Sequence, residues 1–174
     1  MKIALSLTAF ALAAPAAAQP PAAAPAPAQP QAQAQPQPQP SYGAPVTLAH
    51  ARRIAEAAEA AARARGFNMA FAIVDPSGGL VLFHKMDGTQ NGSIEVAVQK
   101  ARTSALFRRP TRAFADSVAG GRNAVLSLPN VVAIEGGVPI MVGGRVAGAI
   151  GVSGGTSEQD GEIAAAALAA ALRE

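Results

Sequence analysis

The last third of the chain reads VVAIEGGVPIMVGGRVAGAIGVSGG over residues 131–155: three apolar, β-rich runs, each followed by a Gly-Gly pair, at 136–137, 143–144 and 154–155. Spacers this short constrain the fold more than any other feature. A parallel crossover needs about a dozen residues or more, so neighbouring runs joined by two glycines can pair only as antiparallel hairpins. Pro139 lies inside the middle run and has no N–H for a ladder, which places it on an edge strand or at a strand's first residue.

The segment NMAFAIVDPSGGLVLFHK adds two further apolar runs around Asp-Pro-Ser-Gly-Gly. There proline presets one turn dihedral and glycine accepts positive φ. The spacing predicts a β-hairpin with strands near 68–74 and 80–85. Upstream, TLAHARRIAEAAEAAARARG opens on Thr47 as an N-cap and closes on Gly66. At 100° per residue Leu48, Ala51, Ile54, Ala55, Ala58 and Ala62 share one sector, while Arg52, Glu56, Glu59 and Arg63 gather on the other. Ser93 is read as the cap of a helix over 94–107, whose Ile94, Ala97, Val98, Ala101 and Ala105 recur at helical spacing. Arg109-Pro110 ends it. A short helix carrying Phe114 and Val118 follows, capped by Thr111 and stopped by Gly120-Gly121. Two hairpin strands and three meander strands give an α+β fold with a five-stranded antiparallel sheet and helices on one or both faces.

The stretch GAIGVSGGTSEQD resembles a phosphate-cradling strand, turn and helix. A dinucleotide or P-loop site requires a parallel strand after that helix, and none follows before Glu174; Gly-Lys-Ser/Thr is also absent. The glycines are better explained by packing. Gly148 and Gly151 allow another backbone to approach the strand closely, Gly154-Gly155 turns the chain, and Thr156 or Ser157 caps a closing helix with Gln159 or Asp160 completing a capping box.

Composition bounds the rest. MKIALSLTAFALAAPAAA reads as a secretory leader cut after Ala18, too short and alanine-rich for a membrane span. Residues 19–45 are almost wholly Ala, Pro and Gln and read as a disordered, extended tether. Residues 46–174 remain as one domain, and export to the periplasm or medium is the expectation. The chain has no cysteine, which removes disulfides, thiolate metal sites and thiol catalysis. Fourteen Lys and Arg against eleven Asp and Glu give +3; loss of Lys2 with the leader leaves +2, too little to argue for nucleic acid. Lys100, Arg102, Arg108, Arg109 and Arg112 form a local cationic window with no acid between Glu95 and Asp116. It reads either as a solvated helix face or as a patch for carboxylates or phosphates.

Lys100-Ala101-x-Thr103 running into FRRPT, then VVAIEGGVPI, then VAGAIGVSGGTSEQD, with AIVDPSGGLVLFHKMDG ahead of them, resembles the GlcG/HbpS family of haem-binding or haem-degrading domains. That family also occurs as the C-terminal domain of some corrinoid adenosyltransferases. The resemblance runs in order from about Val46 to Leu172. It implies a five-stranded antiparallel sheet flanked by helices in a profilin-like layout, assembly into homo-oligomers, and haem or another tetrapyrrole as ligand. Exported members are linked to haem sensing beside two-component systems, which makes a sensor kinase a candidate partner.

Haem requires an apolar slot, an axial ligand and cations for its propionates. With no cysteine, the axial candidates are His50 and His84, with methionine a weaker option. His50 lies at the edge of the first helix's apolar sector, beside Ile54 and Ala61; it reads as a ligand, an interface residue or a ring reaching a carbonyl. His84 shares a strand face with Leu80 and Leu82 and reads as a ligand or a satisfied core histidine. Lys100, Thr103 and Phe107 fall roughly on one helix side, matching the region where family members hold their ligand, with Arg108 and Arg109 at its mouth. The alternative is that these cations pair with acids across a subunit interface. Glu56-x-x-Glu59 could hold iron, but Arg52 and Arg63 mark a salt-laced surface. No residue pattern for a catalytic triad, a zinc protease or a carboxylate pair is present, so haem degradation is implied by the resemblance alone. A small enzyme acting on a carbonyl or carboxylate metabolite, and a ligand-free oligomeric sensor partner, are the competing readings. The first requires a narrow pocket at Lys100, Arg108 and the Gly-Gly amides.

Overall fold

The computed structural model describes residues 39–172. The leader at 1–18, and the tether as far as residue 38, lie outside the described residues. The order of elements is α1 (Leu48–Ala64), β1 (Ala70–Val74), β2 (Leu80–Lys85), α2 (Ser93–Phe107), α3 (Arg112–Ala119), a 3-10 turn (Asn123–Ser127), β3 (Gly137–Val142), β4 (Arg145–Ser153) and α4 (Ser157–Ala171). The strands form one antiparallel sheet in the order β2-β1-β4-β3.

The sheet therefore has four strands rather than the expected five. The run at 131–135 is apolar enough to be a strand, but its backbone is engaged elsewhere. Thr103 Oγ1 donates to Asn130 O at 2.8 Å and accepts from Val132 N at 2.9 Å. This ties the run to α2 instead of to a strand edge. Pro139 lies within β3, which is an edge strand as its missing N–H requires.

Helices cover both faces. Phe71, Ile73, Ile140, Ile150 and Val152 pack with the small-residue face of α1 and with Ile163, Ala164 and Ala167 of α4. On the other face Ala70, Ala72, Val74 and Ala149 meet Ala97, Val98, Ala101 and Ala105 of α2. These residues are small because α2 lies close to the sheet. A Cβ on Gly151 would collide with the carbonyl of Ala97 and lie 2.5 Å from the amide nitrogen of Ala101, so glycine sets the separation between α2 and β4.

The helix caps divide. Thr47 accepts from His50 N, and Thr156 with Gln159 forms the full capping box. Ser93 is not a cap: it is the first residue of α2, behind Gly92, and its buried hydroxyl contacts those of Ser153 and Gln90's amide. Thr111 occupies the N-cap position of α3, but its hydroxyl accepts from Gly137 N instead. In α1 the alanines and Ile54 are buried as expected, whereas Leu48 is 47% exposed.

Residues before Val46, read as tether, also touch the sheet. Gly43 N donates to Val146 O, and Val146 N donates to Ser41 O, both at 2.9 Å. Tyr42 forms a parallel bridge with Val146. These residues occupy the edge of β4 that β1, which reaches only Ala149 on that strand, leaves open.

Candidate functional site

The motif residues converge on a buried polar brace. Lys100 Nζ of α2 donates to Asp160 Oδ2 of α4 at 2.6 Å and to Val152 O of β4 at 3.1 Å. Both side chains are almost fully buried, at 1% and 3% exposure. Asp160 Oδ1 accepts from Gly155 N, while Thr111 and Gly137 exchange two bonds beside the brace. Burial is the largest influence on Asp160 and raises its carboxyl above the usual aspartate range, with the Lys100 hydrogen bond opposing it. The residues around Gly136 and Gly137 press against Lys100 so closely that a Cβ there would strike its ammonium or its carbonyl. Two charges in a dry interior persist only when paired and bonded this completely.

Lys100 and Thr103 are thus buried, with the bonds of both side chains made inside the chain, and do not share an open face with Phe107. Phe107 is half-buried and packs edge-on against Phe114. Arg108 ends α2 in the left-handed region, at φ 53°; it donates to Pro40 O and lies over the Tyr42 ring at 5.2 Å. Arg109 is exposed, lies over Phe114 at 5.5 Å and bonds Phe107 O. Tyr42 OH donates to Leu106 O. Arg108 and the Tyr42 hydroxyl therefore hold residues 40–42 against the end of α2.

The two histidines differ. His84 stacks on Phe71 and its Nε2 lies 2.9 Å from Glu59 Oε2, a carboxylate that also pairs with Arg63. The Arg63 hydrogen bond chiefly, with His84 assisting, lowers the Glu59 carboxyl below its usual range. Glu56 is exposed, and no cluster of three or more potential metal ligands occurs among the described residues; the Glu56, Glu59 pair is a salt-laced face. His50 is half-buried. Its backbone N–H is taken by Thr47, and its ring has no hydrogen-bond partner among the described residues.

His50 lines a cleft of about 230 Å³ with Arg53, Met141, Val142, Gly143, Ala171 and Leu172. Three elements build it: the first turn of α1, the β3-β4 turn and the end of α4. Sequence reasoning picked out the histidine and missed the rest, because no short-range pattern connects residue 50 to residues 142 and 172. The donor set suits haem: an imidazole whose ring has no hydrogen-bond partner among the described residues, beside the apolar side chains of Met141, Val142 and Leu172 and the cation of Arg53. A second cleft of about 310 Å³ carries Arg112, Asp116, Glu135 and Glu158; its acidic excess suits a porphyrin's carboxylates poorly.

Comparison with known proteins identifies relatives that share the fold. The chain is 38% identical over 129 residues to a 15.0 kDa protein from the dhaT-dhaS intergenic region of Citrobacter freundii, an alignment spanning 72% of this chain and 91% of that protein. A double mutant of HbpS from Streptomyces reticuli has a similar structure, with TM-score 0.68, 29% identity, and coverage of 86% of this chain and 97% of that one. The PduOC:haem complex matches with TM-score 0.66 and 28% identity, over 72% of this chain and 94% of that one. Residues 46–169 match the model of the family described as haem-degrading protein HbpS-like. With nearly the whole folded segment matched and the sheet, helices and motif brace in place, the chain belongs to the HbpS-like family.

Proposed function

We propose that this chain is an exported haem-binding protein, with haem seated in the cleft between the start of α1 and the end of α4 and His50 as an axial ligand. The observation that carries this reading is the His50 ring, which lacks a hydrogen-bond partner among the described residues and lines a cleft with Met141, Val142, Leu172 and Arg53. His84 is the weaker candidate because Glu59 already engages its Nε2. A haem complex in a structural relative supports the ligand class. When bound, haem supplies a redox-active iron with axial positions for ligands. In that cleft Val142 and Leu172 would give the disc apolar contacts and His50 would hold the iron. The open cleft suits sensing or storage of haem, which would place a sensor kinase downstream, whereas breakdown rests on the family description alone. The narrow pocket that a carbonyl- or carboxylate-processing enzyme requires is not favoured, because Lys100 is closed off by Asp160.

Haemin titrated into the protein is expected to give a saturable Soret shift. His50→Ala should weaken binding by about tenfold or more, equivalent to about 1.4 kcal/mol or more, while His84→Ala should not. No saturable change in the parent protein would refute the reading. Export is checked by the N-terminus of protein recovered outside the cytoplasm, expected at Gln19; an intact Met1 there would contradict the leader.

A further inference from the structure

We propose that Asn91 is a site of spontaneous covalent modification: its side-chain amide is lost through a cyclic imide formed with the backbone nitrogen of Gly92, and the product resets the start of α2. The inference stands apart from haem binding.

The segment MDGTQNG joins β2 to α2 and is anchored at two points. Thr89 is 5% exposed, and its hydroxyl bonds Met86 O and Met69 O. Ser93 is fully buried, and its hydroxyl meets Ser153 Oγ and Gln90 Nε2. Between these anchors Asn91 and Gly92 are exposed. The two reacting groups, the Asn91 carboxamide and the Gly92 N–H, have no hydrogen-bond partner among the described residues. A Cβ built on Gly92 would meet nothing within 4 Å, so no neighbouring group screens the pair, and glycine has no side chain to obstruct the approach of its own nitrogen. Of the four asparagines in the chain, Asn68, Asn91, Asn123 and Asn130, only Asn91 precedes glycine.

The Gly92 nitrogen gives its proton to hydroxide and attacks the side-chain carbonyl carbon of Asn91; the imide ring closes and ammonia departs. Water then opens the ring at either carbonyl. One opening leaves aspartate, and the other leaves isoaspartate, in which the backbone runs through the side-chain carbon. Overall an amide and a water become a carboxylate and an ammonium ion. The bond that resists is Ile94 N to Asn91 O, at 3.2 Å, because it holds the peptide plane that must turn; it lies in the first turn of α2, where helices fray. α2 starts behind Gly92 without a side-chain cap, so an aspartate at 91 meets the positive end of the helix and supports it. Isoaspartate inserts one more backbone carbon between the Thr89 and Ser93 anchors and draws Ser93 away from Ser153. Asn91-Gly92-Ser93 also has the Asn-x-Ser pattern of a glycan acceptor, but the buried, bonded Ser93 hydroxyl is out of an enzyme's reach in the folded chain.

The full chain is aged in heavy-oxygen water at mildly alkaline pH and read by peptide mapping with mass spectrometry, beside Gly92→Ala and Asn91→Asp. Alanine fits at 92, where φ is −59° and the space is open. Solvent oxygen is expected to enter residue 91 several-fold faster than the other asparagines, in proportion to hydroxide, with both products present. Gly92→Ala should slow it several-fold. In thermal melts Asn91→Asp should match or exceed the parent, and the separated isoaspartate form should melt below it. Loss at Asn91 no faster than at Asn123, which is exposed but precedes alanine, overturns the proposal. So does a rate unchanged by Gly92→Ala, a reaction confined to the urea-unfolded chain, or a glycan mass on Asn91. An isoaspartate form that melts with the parent overturns the effect on α2.

Discussion

Replacing Lys100 by methionine tests whether the family's most recognisable helix motif serves stability or ligand contact. The substitution keeps the length and apolar stem of the side chain but removes the ammonium that donates to Asp160 and to Val152 O. Asp160 is then left 3% exposed without its cation. Removing one partner of a buried ion pair costs about 3–5 kcal/mol. Gly155 N still donates to Asp160 Oδ1 at the start of α4, and the positive end of that helix favours the carboxylate. The cost is therefore expected at the lower limit, about 3 kcal/mol. For a domain of this size that corresponds to a fall in Tm of roughly 6–20 °C. The companion variant Lys100→Met with Asp160→Leu removes both charges and should recover most of the loss, since well-packed apolar pairs often replace buried ion pairs at little cost. Urea unfolding with an unchanged m-value measures each variant. A loss below about 1 kcal/mol in the single variant, near the net worth of an ordinary hydrogen bond, would refute the brace. So would unchanged stability accompanied by weaker haemin binding, which would return Lys100 to the ligand.

Two further outcomes follow from the loop geometry and the chain start. Asp75 Oδ1 accepts from Ser77 N, Ser77 Oγ and Gly79 N; the Ser77 hydroxyl foremost holds its carboxyl below the usual aspartate range. A depressed folded value stabilises the protein above the unfolded value and loses that stabilisation as pH falls through the folded one, so Asp75→Asn should be less stable than the parent at pH 7 and the gap should shrink below about pH 3.8, in thermal melts across that range; a gap independent of pH would contradict it. A chain starting at Val46 instead of Gln39 loses the two backbone bonds to Val146 and the Tyr42 bond to Leu106; at about 0.5–1.5 kcal/mol each, offset by the freed segment's entropy, the urea midpoint should fall by the equivalent of about 1–3 kcal/mol, and an unchanged midpoint would place the domain boundary at 46.

What the sequence made legible was local. The Gly143-Gly144 spacer demanded a hairpin, helical periodicity located α1 and α2, and Thr156 with Gln159 announced α4; each is decided by residues within about one turn of one another. The run at 131–135 misled because a short apolar run has the same appearance whether its N–H groups go to a strand or to a hydroxyl, and here Thr103, nearly thirty residues earlier, takes one of them. Lys100 misled for the same reason at longer range. A cation beside a threonine and an aromatic looks like a ligand face until its partner is known, and that partner, Asp160, belongs to a segment legible only as a capping box. The motifs that carry the family resemblance therefore describe the brace that sets α2, β4 and α4 against one another. The His50 cleft lies apart from that brace, and its lining comes from a turn and a helix end that share no motif with it. Ligand binding can thus differ among chains that keep all four motifs, and the haem site proposed for this chain is built from residues outside them, His50 and the side chains that line its cleft.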